Sequence, residues 1–201
     1  MLKLYYADIG GLDIDCCPPL SQYRRERLNA VKPITARRAG VGAELLLCRA
    51  LKECAPQLTL PPEIIVGEHG KPALRGGEVF FSLSHYGSFA AVSVCDEEVG
   101  VDIQAISEYN PALARRFFAP DEQEYIEQSA DKNMAFTQIW CMKESYIKAI
   151  GTGLYTPLES FSVHEMPFIK AFAREGNVLA VCVPSRGAIN IDSIEKTELC
   201  L

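Results

Sequence analysis

The chain has 201 residues, 48% of them hydrophobic and 23% charged, with a formal net charge of −6. That length supports one substantial core or two small subdomains sharing one. The acidic balance excludes nucleic acid as the main partner, because phosphate backbones are held by clustered Lys and Arg, so any anion must be bound in a local basic pocket.

In chain order, LKLYYA reads as a strand. Asp8 and Gly10 interrupt the apolar run that a signal peptide needs, and no stretch approaches the length of a membrane span, so a cytoplasmic protein without membrane attachment is expected. The basic segment LSQYRRERLNAVKP holds a short helix, and from Thr35 to Cys54 Ala, Leu and Cys recur with a helical period. Pro61 and Pro62 close the connection, and EIIVGEHGKPAL is a short strand running into a turn. EVFFSLSH and SFAAVSV are β-rich runs separated by Tyr86 and Gly87, which is hairpin spacing, and EVGVDIQ follows as a third strand.

The second half opens with two short helices divided by Pro120, in NPALARRFFAPDEQEYIEQ. Residues 132–150 form the strongest helix, with Gly151 placed to stop it. ESFSVHE, FIKAFARE and NVLAVCVP read as strands. Elements thus come in a similar order in both halves, and FSLSHYGSFAAVSV echoes FSVHE with REGNVLAVCV, the pattern of an internal duplication. The eight cysteines sit in apolar segments such as LLLCRAL and LAVCV without metal-ligand spacing, which points to reduced core residues.

Chemistry concentrates on the 132–150 helix. Trp140, Glu144 and Lys148 stand four residues apart and share a stripe. Glu followed by Lys at that spacing is also a common surface ion pair worth about 0.3–0.5 kcal/mol. Here, however, Trp140 heads the stripe and Ile139, Tyr146, Ile147 and Ile150 flank it, so both charges would be partly desolvated and would face a cleft, a metal or each other. Asp102 lies in the apolar strand VGVDIQ, which ordinarily excludes Asp unless it is at an edge, and Gln104 points to the same face. Asp102 and Glu144 together offer the hard oxygens that Mg²⁺ takes.

Basic groups complete the pattern. HGKP puts Lys71 on a Gly-Pro loop, Ser84 and His85 end a strand, and Arg37 and Arg38 open a helix where free backbone N–H groups favour anions. Arg24, Arg25 and Arg27 add charge nearby in sequence. Singly, a strand-end His is more often structural and an Arg run more often solvated surface.

Three ordered motifs, FSLSH (81–85), GVDIQ (100–104) and WCMKESYIK (140–148), with the GKP turn (70–72) and the tail GTGLYTPLESFSV, resemble the 4′-phosphopantetheinyl transferases of the surfactin-synthetase type. The resemblance spans most of the chain. It implies an α/β (α+β) fold of two similar, pseudo-symmetric subdomains, each a small, mostly antiparallel sheet packed with helices, with the active site in the cleft between them. Residues 1–100 would be the coenzyme A-binding subdomain, and residues 101–201 would carry the metal and the catalytic helix. The implied reaction moves the phosphopantetheine arm of coenzyme A to a serine of an apo acyl or peptidyl carrier protein, releasing 3′,5′-ADP with Mg²⁺ as cofactor.

Residue by residue, Asp102 and Glu144 match the metal-binding carboxylates, Glu144 also the base, and Lys148 the lysine at the phosphates. Lys71, Ser84, His85 and Arg38 match coenzyme A contacts, and Arg24 and Arg27 resemble residues that reach the 3′-phosphate. Gln104 departs from the pattern: many bacterial members carry Glu there as a third ligand, so the site has one negative charge fewer, with an amide oxygen or a water in its place. The family reading also implies a monomer. Two rivals remain, a coenzyme A or nucleotide binding module without chemistry and an Mg²⁺-dependent phosphate hydrolase.

Overall fold

The structure, a computed structural model, describes residues 1–77, 79–164, 166–190 and 195–198, with Leu154 and the last four by their backbone alone. The first half runs β1 (Leu2–Asp8), α1 (Gln22–Asn29), α2 (Ile34–Cys54), β2 (Ile64–Val66), β3 (Pro72–Leu74), β4 (Phe80–Tyr86) and β5 (Phe89–Cys95). The second runs β6 (Gly100–Ala105), α3 (Pro111–Phe117), α4 (Pro120–Gln128), α5 (Lys132–Ile150), β7 (Ile169–Arg174), β8 (Asn177–Cys182) and β9 (Glu195–Glu198).

Local chemistry sets the ends of the helices. Ser21, Asn110 and Asp131 accept hydrogen bonds from the first-turn amides of α1, α3 and α5. Pro120 opens α4 instead of merely dividing two helices, and Gly151 ends α5 in the left-handed conformation at φ 72°.

Among the described residues three sheets form, ordered β4-β5-β1-β9, β6-β8-β7 and the small ladder β2-β3. Strand β1 pairs antiparallel with β5 and parallel with β9, so the chain's last described strand returns to the first sheet. Helix α2 covers one face of that sheet, packing Leu46 and Leu47 against Tyr5, Ala7, Phe81 and Val92. The opposite face, with Leu4, Tyr6 and Ala91, meets Val101, Ile103, Leu179 and Val181 of the second sheet. On the outer face of that second sheet, α5 packs Cys141 against Val178 and Ala180. Because both faces are covered, β8 is buried along its whole length and β5 at every residue after Phe89, and both are mostly apolar.

The mixed α/β architecture of small, mostly antiparallel sheets packed with helices is as expected, and the helix-on-sheet unit occurs twice. Other expectations need correcting. The hairpin turn falls at Gly87 and Ser88, since Tyr86 is paired with Phe89. EIIVGEHGKPAL closes on itself as two strands. ESFSVHE forms no strand over its described residues; Glu165 lies outside them. Its backbone is drawn elsewhere: Lys143 Nζ donates to the carbonyl of Phe161 and to that of the preceding Leu158, and Val163 N–H donates to Glu122. The echo with FSLSH therefore holds only for the hairpins β4–β5 and β7–β8. Among the described residues no helix is long and apolar enough to cross a membrane. The seven described cysteines are free thiols, Cys95, Cys141 and Cys182 in the core and Cys16 exposed.

Candidate active site

Strand β6 turns Gly100, Asp102 and Gln104 towards α5 and its side of the molecule. A Cβ on Gly100 would stand 1.8 Å from the Ser145 carbonyl oxygen and 2.6 Å from Ala149 N, so only glycine lets the helix backbone lie this close. The approach brings Lys148 Nζ to 2.6 Å from Asp102 Oδ1.

Asp102 is 1% exposed, and a buried carboxylate must be compensated. Ser84 Oγ donates to Oδ1 at 2.7 Å and Gln104 Nε2 donates to Oδ2 at 2.9 Å. Lys148 Nζ also donates to Ser84 Oγ at 2.9 Å, which closes a triangle across 64 residues of sequence. Glu144, half-buried one turn earlier on α5, lies in the same field. Burial pushes its carboxyl above the usual range, the Asp102 charge pushes it further, and Lys148 offsets part of this. Among the described residues, no three His, Cys, Asp or Glu side chains converge as a metal cluster.

Recesses flank the charged centre. One of about 220 Å³ is lined by His69, Lys71, Ser82, Leu83, Ile147 and Lys148. The other, about 250 Å³, lies towards the start of α5 between Tyr86, Gln104, Leu113, Phe136 and Trp140. The Trp140-Glu144-Lys148 stripe thus runs from one recess to the other. All three residues are half-buried, and Trp140 packs edge-on against Phe117 with ring centroids 5.7 Å apart.

The other expected site residues divide. Burial, then Lys148 and Arg24, push His85 below its usual pKa, which places it in a positive field beside the centre. Lys71 lines the first recess, but its ammonium is tied to Glu98 and donates to Ala149 O at 2.7 Å, pinning the GKP turn to the end of α5. Arg24 is buried against Glu44 at 3.4 Å. Arg38 Nε donates to Leu12 O at 3.0 Å, and Arg27 stacks over Tyr23 at 5.6 Å. The sequence reading passed over His69 and Tyr155, whose rings lie 4.8 Å apart, His69 in the wall of the first recess. The available signal was an aromatic ring directly before the Gly-Lys-Pro turn.

A family profile described as the 4′-phosphopantetheinyl transferase superfamily matches residues 98–185. The 4′-phosphopantetheinyl transferase gsp of Aneurinibacillus migulanus is 36% identical over 52% of this chain and 46% of its own length. The 4′-phosphopantetheinyl transferase psf-1 of Bacillus pumilus is 39% identical over 64% of this chain and 56% of its own. Similarity to the 4′-phosphopantetheinyl transferase AcpT of Salmonella typhi is 31% identity over 85% of this chain and 90% of that one. The aligned part of this chain spans about half the length of the first two of these relatives.

Proposed function

Because the chain belongs to the 4′-phosphopantetheinyl transferase family, we propose that it moves the 4′-phosphopantetheine group of coenzyme A to a serine of an apo acyl or peptidyl carrier protein, leaving the holo carrier and 3′,5′-ADP. One observation carries this reading: Asp102, Ser84 and Lys148 lie within 3 Å of one another with Glu144 in the same field, between two recesses. Phosphoryl transfer needs such a place, where charge on a pyrophosphate is neutralised and the acceptor is held in line.

A divalent cation fits these residues. Two carboxylates face one ammonium, leaving negative charge in a half-buried site, and hard oxygens are what Mg²⁺ prefers. Asp102 and Glu144 would hold the ion, with the amide oxygen of Gln104 or water beside them. When bound, it would draw charge from the pyrophosphate oxygens. The chain's own groups supply the rest. Glu144, kept basic enough by burial and by Asp102, takes the serine proton as the Oγ–P bond forms and the P–O bond to 3′,5′-ADP breaks. Lys148 lines the 220 Å³ recess, and its ammonium meets the negative charge of the departing phosphate.

On this reading residues 1–100 bind the coenzyme, with Lys71, Ser84, His85, Arg24, Arg27 and Arg38 as its contacts, and residues 101–201 carry the metal and the catalytic helix. The carrier, an acidic protein, meets α3, where Arg115 and Arg116 are exposed and Leu113 borders the second recess. The protein acts as a cytoplasmic monomer.

Incubating apo carrier proteins with the protein, coenzyme A and Mg²⁺ tests this by intact mass spectrometry. The expected result is a serine-linked gain of one phosphopantetheine, and Glu144→Gln lowers the rate about 10²- to 10⁴-fold while the fold is retained. Unmodified carriers with phosphate released would favour a hydrolase, and coenzyme A binding without turnover would favour a binding module.

A further inference from the structure

We propose that Glu44 is a positioning residue, which holds the Arg24 guanidinium turned so that its Nη groups meet the 3′-phosphate of coenzyme A. This rests on the transferase reading above, in which Arg24 is a coenzyme contact. Glu44 lies in the middle of α2 and is fully buried. A carboxylate there needs donors, and they come from α1 and its cap. Oε1 accepts from Ser21 N–H at 2.5 Å, while Oε2 accepts from Ser21 Oγ at 2.9 Å and from Arg24 Nε at 3.4 Å. Ser21 Oγ in turn accepts from Arg24 N–H at 3.2 Å. The backbone and the side chain of Arg24 are thus both fixed from the same carboxylate.

The guanidinium itself is left short of acceptors. Arg24 is 9% exposed, yet among the described residues its side chain donates one hydrogen bond, from Nε to Glu44. That leaves four of the five N–H donors of a guanidinium unspent. The ring of Tyr23 lies 5.8 Å from its carbon, and Nη1 lies against α2 at Gly40, where a Cβ would stand 3.1 Å away. A cation this buried, with its outer donors open, calls for an anion. Its charge is felt at His85, which is exposed at the end of β4, so it is presented on the side of the molecule that holds the charged centre. A guanidinium held by Nε offers its Nη pair as a fork, the geometry that suits a phosphate.

Calorimetric binding of coenzyme A and of 3′-dephospho-coenzyme A to the full chain tests this. In Glu44→Gln a single amide oxygen faces three donors, so the bond to Arg24 Nε is lost. The expected result is about tenfold weaker binding of coenzyme A, with 3′-dephospho-coenzyme A changed less than about twofold. Charge alone acts in the opposite direction, because removing a carboxylate makes the pocket more positive and tightens anion binding. Unchanged or tighter binding of coenzyme A, or an equal loss for both ligands, overturns the proposal. Arg24→Met should show the same selective loss, and adding Glu44→Gln to it should cost no further coenzyme affinity; a further loss would make Glu44 merely structural. Where Glu44→Gln does not fold, Glu44→Asp, which keeps the charge but falls short of Nε, should show the selective loss, and Arg24→Met with an unchanged preference between the two ligands overturns the proposal by itself. No turnover is needed. Wild-type protein that prefers coenzyme A but loads no carrier ends the transferase reading alone, whereas protein that loads carriers and binds unchanged as Glu44→Gln ends this inference alone.

Discussion

Gln104 donates its amide N–H to Asp102 Oδ2 at a position where the family resemblance leads one to expect a third carboxylate. The amide satisfies Asp102 without adding charge, so the resting site is stable but attracts a cation less strongly. Replacing it by Glu would set a second carboxylate two residues along the same strand face and remove the donor, a repulsion that a divalent ion relieves. Gln104→Glu is therefore expected to lower the Mg²⁺ concentration for half-maximal rate and to lower the denaturation midpoint in metal-free buffer. An unchanged or higher Mg²⁺ requirement would place residue 104 away from the ion. At this scale the sequence was informative about Asp102, Glu144 and Lys148, because charge on an apolar face is conspicuous. Internal pairings were not legible. Nothing in LLLCRAL or its neighbours shows that Glu44 is fully buried and receives Arg24 and Ser21, or that Lys71 turns inward to the end of α5.

The pair β6 and α5 is the element on which the site depends. Gly100 allows the close approach that lets Lys148 reach Asp102, while on the other flank of α5 a fully buried pair, Lys143 and Glu122 at 2.7 Å, ties the helix to α4 and to the loop after it. Burial pushes Glu122 up and Lys143 down, against their mutual attraction; the pair is retained with its polar atoms hydrogen-bonded. Gly100→Ala should cost about 1–3 kcal/mol or more in overpacking and lower kcat steeply, as the helix backbone must withdraw. Gly187→Ala, where an added Cβ meets nothing within 4 Å, serves as the control and should leave both unchanged. Equal behaviour of the two variants in denaturation and turnover would contradict this account. Helix limits were legible because caps and Gly151 are local signals, whereas ESFSVHE misled because its backbone partners, Lys143 and Glu122, are distant in sequence.

In the whole molecule, α2 and α5 cover opposite outer faces of two sheets whose inner faces meet, and the site lies where the edges β4 and β6 adjoin. Alternation and hairpin spacing revealed the strands and the repeated helix-on-sheet unit. The parallel return of β9 to β1 was not legible, since a short polar strand carries little pattern and its partner is almost the full chain away. The proposed chemistry needs this arrangement, because it brings Glu144 of α5 into the field of Asp102 on β6. A crystal structure with coenzyme A and Mn²⁺ in place of Mg²⁺, examined for anomalous scattering, tests this most directly. The account predicts a manganese peak roughly 2.0–2.3 Å from oxygens of both Asp102 and Glu144, with the pyrophosphate on its open side. A peak bound by neither carboxylate, or by only one of them with the coenzyme elsewhere, would contradict it.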